Sequence, residues 1–218
     1  MQALFYSEHG SPDVLTLGHQ PDPILRPAEV LIRVSATALN RLDIVQRNGW
    51  FTLPGFSLPH IAGMDLAGTV VGVGSSVSEI HVGDRVVADP SMHAIAGDSQ
   101  YTGFGERYGE LGVIGATHAG GYGELCAISA DHLHLLPDTM DFATAAVFPT
   151  AWMTTHHALF RIGDLRPGET LLMHGATSAL TLAATQLAIA AGARVLVTAA
   201  SEEKCAVAHK LGAAATTT

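Results

Sequence analysis

Residues Glu169 to Ala200 constrain this chain more than any other stretch. Thr170–Met173 is a short apolar run that ends at His174-Gly175-Ala176-Thr177-Ser178. Beyond it, Leu180, Ala183, Ala184, Leu187, Ala188 and Ala191 keep the i, i+3, i+4, i+7 spacing of one helical face. Gly192 is placed to close that helix, because the residue past a last turn often needs a positive φ. Ala193–Thr198 then reads as a second strand, β-branched and apolar like a strand buried on both faces. Strand, crossover helix and strand within about 30 residues make one βαβ unit, half of a dinucleotide-binding fold.

What the unit does depends on its turn. A pyrophosphate needs close approach to backbone N–H groups at a helix start, and glycines normally allow it. This turn keeps Gly175 and carries Thr177, Ala179 and Thr181 at the later positions. All are small, but none relieves a positive φ as glycine would. The residues alone fit either a phosphate-binding turn or an ordinary βαβ core. A membrane span is not expected from the uncharged run Ala176–Ala193, which is rich in Ala, Thr, Ser and Gln and poor in bulky apolar residues.

Composition narrows the partners. A formal net charge of −9 argues against a nucleic-acid groove or an anionic membrane surface. Cys126 and Cys205 are far apart and form no C-x-x-C pair, which fits a cytoplasmic protein with free thiols. Met1–Gly10 has no basic stretch leading into an apolar one, so no secretory signal is expected. The adjacent His156 and His157 would point to different sides of a helix and are no chelating pair.

The first part of the chain has a different texture. Alternating or β-branched runs recur at Ala3–Tyr6, Glu29–Ala36, Ala67–Val73, Asp84–Ala88 and Glu124–Ser129, with Gly, Pro, Asp and Asn between them. Many short strands separated by turn residues predict a small barrel-like β domain. Ser91–Ala119 breaks the pattern as a long irregular run. Asp138–Phe160 reads as helix, interrupted at Pro149. Ser201–Leu211 is a further helix, capped by Ser201 and closed by Gly212, and Ala213–Thr218 enters a third strand.

Several motifs recur in a known order: Glu29-Val30-Leu31-Ile32-Arg33-Val34, Leu39-Asn40-Arg41-Leu42-Asp43, Ile61-Ala62-Gly63-Met64-Asp65-Leu66-Ala67-Gly68, Val82-Gly83-Asp84-Arg85-Val86 and Gly120-Gly121-Tyr122-Gly123-Glu124. Together with Arg166-Pro167-Gly168-Glu169 and Leu211-Gly212-Ala213, they resemble a medium-chain dehydrogenase/reductase. The resemblance implies an α/β protein with an all-β part. A GroES-like β-barrel catalytic domain over 1–137 would be followed by a partial Rossmann domain, a doubly wound parallel sheet, over 138–218. It also implies hydride transfer from a nicotinamide cofactor.

Zinc members of the family hold a catalytic metal with Cys, His and Cys. Aligned on the motifs, those positions carry Asn40, Met64 and Thr150, a poor set for zinc. The lobe that carries four cysteines for a structural zinc corresponds to Ser91–Arg107, which has none. No metal is therefore expected, and His60 and His93 read as satisfied rather than ligating histidines. The metal-free branch resembles the quinone oxidoreductases, which add hydride to a quinone, an enone or another polarised carbonyl such as an aldehyde. Such a reaction needs positioning and a donor at the developing oxyanion. Asn40 and, in the same motif, Asp43 are the catalytic candidates; local backbone bonding explains Asn40 equally well. Trp50, Met64 and Thr150 would line the acceptor pocket, with core packing the plainer reading of Met64.

The cofactor candidates are Thr154, Gly175, Ala176, Thr177, Ser178, Ala179, Leu180, Ser201 and Lys204. NAD sites place an acid at the end of the second strand, where this chain has Ala199-Ala200-Ser201 with Lys204 one turn on. That favours NADPH, although Glu202 and Glu203 add negative charge nearby. The family's sheet would need further βα units beyond this sequence. The expectation is a truncated form, a fragment or a chain completed by a partner, with self-association into a homo-oligomer. Three functions stay open: a zinc-independent NADPH-dependent reductase, a zinc-type alcohol dehydrogenase homologue, and a non-catalytic remnant or nucleotide-binding pseudoenzyme.

Overall fold

The computed structural model describes residues 1–53, 55–93 and 111–218. They form two compact units, Met1–Thr150 and Ala151–Thr218. In the first unit β1 (Gln2–Tyr6) pairs antiparallel with β2 (Thr16–His19) and with β4 (His60–Ile61). A five-stranded sheet joins β3 (Glu29–Ala38), β5 (Asp65–Val73), β6 (Arg85–Ala88), β9 (Leu125–Ser129) and β10 (Leu133–Leu135) in the order β10-β6-β5-β3-β9. Alternation along β3 turns Val30 and Ile32 into the core, where they meet Leu66, Val70, Val86 and Ile128. Each such side chain contributes roughly 1.5–3 kcal/mol by leaving water. Two register shifts bend β3 against β5, between Leu31 and Ile32 and between Val34 and Ala36. This is the barrel-like domain that the turn-punctuated runs predict.

The irregular stretch is partly regular. Within Ser91–Ala119, β7 (Ser91–His93) and β8 (Leu111–Val113) pair antiparallel, and residues 94–110 lie outside the described residues. A short helix that periodicity did not reveal, α1 (Arg41–Arg47), follows Asn40. The helical expectation over Asp138–Phe160 resolves into α2 (Phe142–Ala146) and a separate run that starts at Pro149. Asp141 caps α2 by accepting from Thr144 N at 2.7 Å, and Ala145 and Ala146 pack on Ala67 of β5. The run continues through α3 (Thr154–His156) to His157–Ile162.

The second unit is a parallel sheet of β11 (Thr170–His174), β12 (Arg194–Thr198) and β13 (Ala215–Thr217), in the order β11-β12-β13. The crossovers are α4 (Ala179–Ala190) and α5 (Glu202–Lys210). Ser178 and Ser201 cap them by accepting from Thr181 N and Lys204 N. This is the partial Rossmann-like parallel sheet expected from the βαβ unit, here with both helices on one face. One detail differs. β12 is not buried on both faces: Val195 and Val197 are covered by Ala184, Ala188 and Ala208 of the two helices, but Leu196 is only partly covered. Its neighbour Leu172 on β11 is 54% exposed. Both helices lie over the Val195–Val197 face, so the opposite face keeps access to solvent.

Candidate active site

The first unit gathers polar side chains where β5 begins. Asp65 is 2% exposed and accepts from three donors. Thr150 reaches its Oδ1 through both the backbone N–H at 3.0 Å and the hydroxyl at 2.6 Å. Asn40 Nδ2 donates to its Oδ2 at 2.9 Å. Burial pushes the Asp65 carboxyl above its usual range, and the bonds from Thr150 and Asn40 pull the other way. Asn40, placed by the sequence at a ligand position, thus meets Thr150, placed at another, through a carboxylate. Met64 is 8% exposed in the same turn.

A second buried acid supports this arrangement from below. Asp43 Oδ2 accepts from Asn40 N at 2.7 Å, which caps α1, and from the Tyr122 hydroxyl at 3.3 Å. Its Oδ1 accepts from Gly63 N at 3.1 Å. Burial is the main cause that raises the Asp43 carboxyl, with the Asp65 charge adding to it against these hydrogen bonds. Tyr122 is raised for the same reasons: burial first, then the charge and hydrogen bond of Asp43. Nearby, His60 is buried and Nε2–H donates to the Gly115 carbonyl at 2.8 Å, so it is a satisfied core histidine. The side chain of His93 lies outside the described residues. Trp50, the third pocket candidate, stands 69% exposed on the loop after α1. Among the described residues no three His, Cys, Asp or Glu side chains gather as a metal ion would require.

Sequence reasoning singled out Asn40, Asp43, Met64 and Thr150 but passed over Asp65, the residue that joins Asn40 to Thr150. The signal was present: an acid opening a strand that otherwise reads Leu66-Ala67-Gly68-Thr69-Val70-Val71 has to find partners when it is buried.

The second unit presents the other candidate surface, the turn from β11 into α4. Gly175 N and Ala176 N both donate to the Thr198 carbonyl, at 2.9 and 3.2 Å, which fixes the turn to the end of β12. Ser178 N closes back on the Gly175 carbonyl at 3.0 Å. The amides of Thr177, Ala179 and Leu180 meet no protein acceptor among the described residues. Three unpaired N–H groups at the start of a 12-residue helix make an anion-accepting end. Thr181 is 1% exposed, and its hydroxyl donates to the His174 carbonyl at 3.0 Å. A threonine therefore achieves the close helix–strand approach for which a glycine would serve. Thr154 is exposed, whereas Thr155 is buried, its hydroxyl donating to the Ala151 carbonyl at 2.7 Å. At the end of β12, Ser201 caps α5 and Lys204 is exposed. His174 Nδ1 and Thr198 Oγ1 lie 2.8 Å apart across the two strand ends, a pair the sequence reading missed.

Residues 26–138 match the family profile of the alcohol dehydrogenase GroES-like domain. The chain belongs to the medium-chain dehydrogenase/reductase family. Among its curated relatives, the quinone oxidoreductase of Mus musculus is 33% identical over 206 residues, 93% of this chain and 54% of that protein. The NADPH-dependent alkenal/one oxidoreductase of Arabidopsis thaliana is 33% identical over 214 residues, 98% of this chain and 51% of that protein. The crystal structure of an NAD-dependent alcohol dehydrogenase superposes with a TM-score of 0.87 at 33% identity, covering 99% of this chain and 63% of that one. The chain spans about half the length of the curated relatives it matches. No helix among its described residues is long and apolar enough to cross a membrane.

Proposed function

We propose that this chain carries the site of a zinc-independent, NADPH-dependent reductase of quinones or other conjugated carbonyls. The observation that carries the reading is the Asn40–Asp65–Thr150 cluster. The residues at the metal positions do not fit a zinc ion: an amide, a thioether and a hydroxyl are poor ligands, and both oxygens of the neighbouring carboxylate are engaged by protein donors. With no Lewis acid to lower an alcohol's pKa, reduction of an already polarised acceptor is the chemistry that remains. The likeness to the mouse quinone oxidoreductase and the Arabidopsis NADPH-dependent alkenal/one oxidoreductase supports it.

Bound NADPH would supply the hydride. The chain's own residues orient and stabilise. Asn40 Nδ2 has two hydrogens; one is held by Asp65, and the other meets no acceptor among the described residues. That second hydrogen is the donor for the acceptor's oxygen as charge develops on it, a contribution worth about 3 kcal/mol in comparable sites. Asp43 serves the site by holding the Asn40 and Gly63 backbone rather than by touching substrate. Thr150 and Met64 line the acceptor side, with Trp50 at its rim. The nucleotide's pyrophosphate takes the free amides of Thr177, Ala179 and Leu180, with Gly175, Ala176 and Ser178 small enough to admit it and Thr154 beside them. Ser201 and Lys204 take the 2′-phosphate, since the end of β12 has no carboxylate to repel it.

Functionally the division is 1–137 for catalysis and 138–218 for the nucleotide, except that Thr150 belongs to the first compact unit and to its Asp65 cluster. Two buried free thiols, Cys126 and Cys205, suit the cytoplasm. Self-association is part of the reading, since Leu172 lies on the open sheet face; light scattering on dilute protein tests it. The deciding assay is NADPH oxidation with a quinone and with an enone, before and after exhaustive chelation. Turnover that survives chelation supports the proposal. Zinc near one per chain, with alcohol oxidation by NAD, would replace it by the alcohol dehydrogenase reading.

A further inference from the structure

We propose that Asp65 is the positioning residue of this site, a carboxylate that cross-links the three segments zinc members of the family join through a metal. Its role in catalysis rests on the reductase reading; its role as cross-link does not. The three segments are the N-cap of α1 at Asn40, the start of β5 at Met64-Asp65, and the residue after Pro149. A metal would hold them by three ligand bonds. Here one buried carboxylate holds two of them from the third, by bonds of 2.9 Å to Asn40 and of 3.0 and 2.6 Å to Thr150. All three donors are aimed at a side chain that is 2% exposed, so water cannot replace them cheaply. The carboxylate also settles which way the Asn40 amide faces. An acid offers acceptors only, so Asn40 must turn Nδ2 toward it, which leaves the second amide hydrogen at a fixed place. Asp43 repeats the constraint from the other side by gripping the Asn40 backbone N–H at 2.7 Å. The metal's structural duty and the orientation of the donor therefore fall on one side chain.

The test is a donor–acceptor swap in the full chain. Asn40→Asp sets two carboxylates against each other and lowers the melting temperature by roughly 3–10 °C. Asp65→Asn keeps the acceptor for Thr150 and turns an N–H₂ group toward residue 40. The double variant Asn40→Asp/Asp65→Asn restores a donor facing an acceptor with the polarity reversed, and is expected to regain most of the melting temperature lost by Asn40→Asp. If Asp65→Asn gives no such rescue, the two side chains do not bond and the cross-link is overturned. Turnover separates positioning from support. Asp65→Asn should lower kcat with quinone by about 10²-fold, as misplaced groups do, with KM for NADPH nearly unchanged. The double variant should stay slow although stable, because the carboxylate then standing at position 40 has no hydrogen to give. A double variant that recovers kcat along with stability would make Asp65 structural only and overturn its positioning role. If the unaltered chain reduces no acceptor, the reductase reading fails by itself, and the melting cycle still decides the cross-link.

Discussion

The Asp65 cluster and the turn between β11 and α4 treat polar groups in opposite ways. In the cluster, the two acids spend their oxygens on five protein donors: Asn40 N, Asn40 Nδ2, Gly63 N, Thr150 N and Thr150 Oγ1, with the Tyr122 hydroxyl as a sixth. In the turn, Thr177, Ala179 and Leu180 keep their amides unpaired on an exposed surface. In the first region protein donors satisfy both carboxylates, and only the second hydrogen of Asn40 Nδ2 is left over. The second is left open, and an anion is the group that would complete it. A buried acid makes its own scaffold, whereas exposed amides wait for a partner.

Two glycines bring out the contrast most sharply. Gly63 and Gly175 both sit at positive φ, +101° and +80°. A Cβ at Gly63 would stand 2.5 Å from Tyr122 Cδ1, whereas one at Gly175 would meet nothing within 4 Å. Gly63→Ala therefore carries backbone strain and overpacking together, about 3 kcal/mol or more, and should be the most damaging single methyl group in the comparison. Gly175→Ala carries the strain alone, about 1 kcal/mol. Urea denaturation of both variants checks the ranking; equal losses would mean that the cluster is looser than its contacts.

Next in size is Asp43→Ala. It leaves Asn40 N, Gly63 N and the Tyr122 hydroxyl without their acceptor and should cost about 2 kcal/mol, read by the same denaturation. Thr181→Val keeps the shape of the α4 start and removes the hydroxyl bond to the His174 carbonyl, also leaving Ser178 Oγ without its acceptor, for a loss of about 1 kcal/mol or more. Thr181→Gly loses that bond too, and glycine adds roughly 0.5–1 kcal/mol of backbone entropy, so it should be the less stable of the two. Tighter nucleotide binding by Thr181→Gly would show that the threonine crowds the phosphates.

The smallest effect is one of pH. Burial holds His60 below the ordinary imidazole value of about 6.5, against the pull of the Gly115 carbonyl. A folded state that resists protonation binds fewer protons than the unfolded chain. The stability His60 supports is thus present above about pH 6.5 and is lost as the pH falls toward the lower folded value. Asp43 and Asp65 act in the opposite sense: their raised carboxyls favour the folded state on the acid side and lose that advantage as the pH rises through their folded values. Melting curves between pH 7.5 and 5.5 should therefore flatten in His60→Gln relative to the unaltered chain.

How much of this was legible in the sequence follows from the length scale of each signal. The βαβ unit was readable because its helix runs for 12 residues with a capping serine before it and Gly192 after it. The longer strands of the first unit showed as alternating runs. α1 was missed because seven residues are too few for a periodic face, although Asn40 and Asp43 stand at capping-box spacing. β2, β4, β7, β8 and β10 have two to four residues each and exist through pairing that a local reading cannot see. At the candidate site, alignment to the family located Asn40, Met64 and Thr150. What lay beyond it was the role of Asp65, since a bond across 85 residues to Thr150 is a fact of tertiary structure.

The open turn is the part whose purpose a ligand decides, so the most direct test is a fluorescence titration of the 218-residue chain with NADPH and, in parallel, with NADH. The expected result is saturable binding of both through the α4 amides, with NADPH tighter by about tenfold, the value of one added charge-assisted contact of roughly 1.4 kcal/mol at Ser201 and Lys204. Equal affinities, or tighter NADH, would contradict the assignment of the 2′-phosphate to the end of β12. No binding of either would contradict the claim that the unpaired amides are a nucleotide site at all.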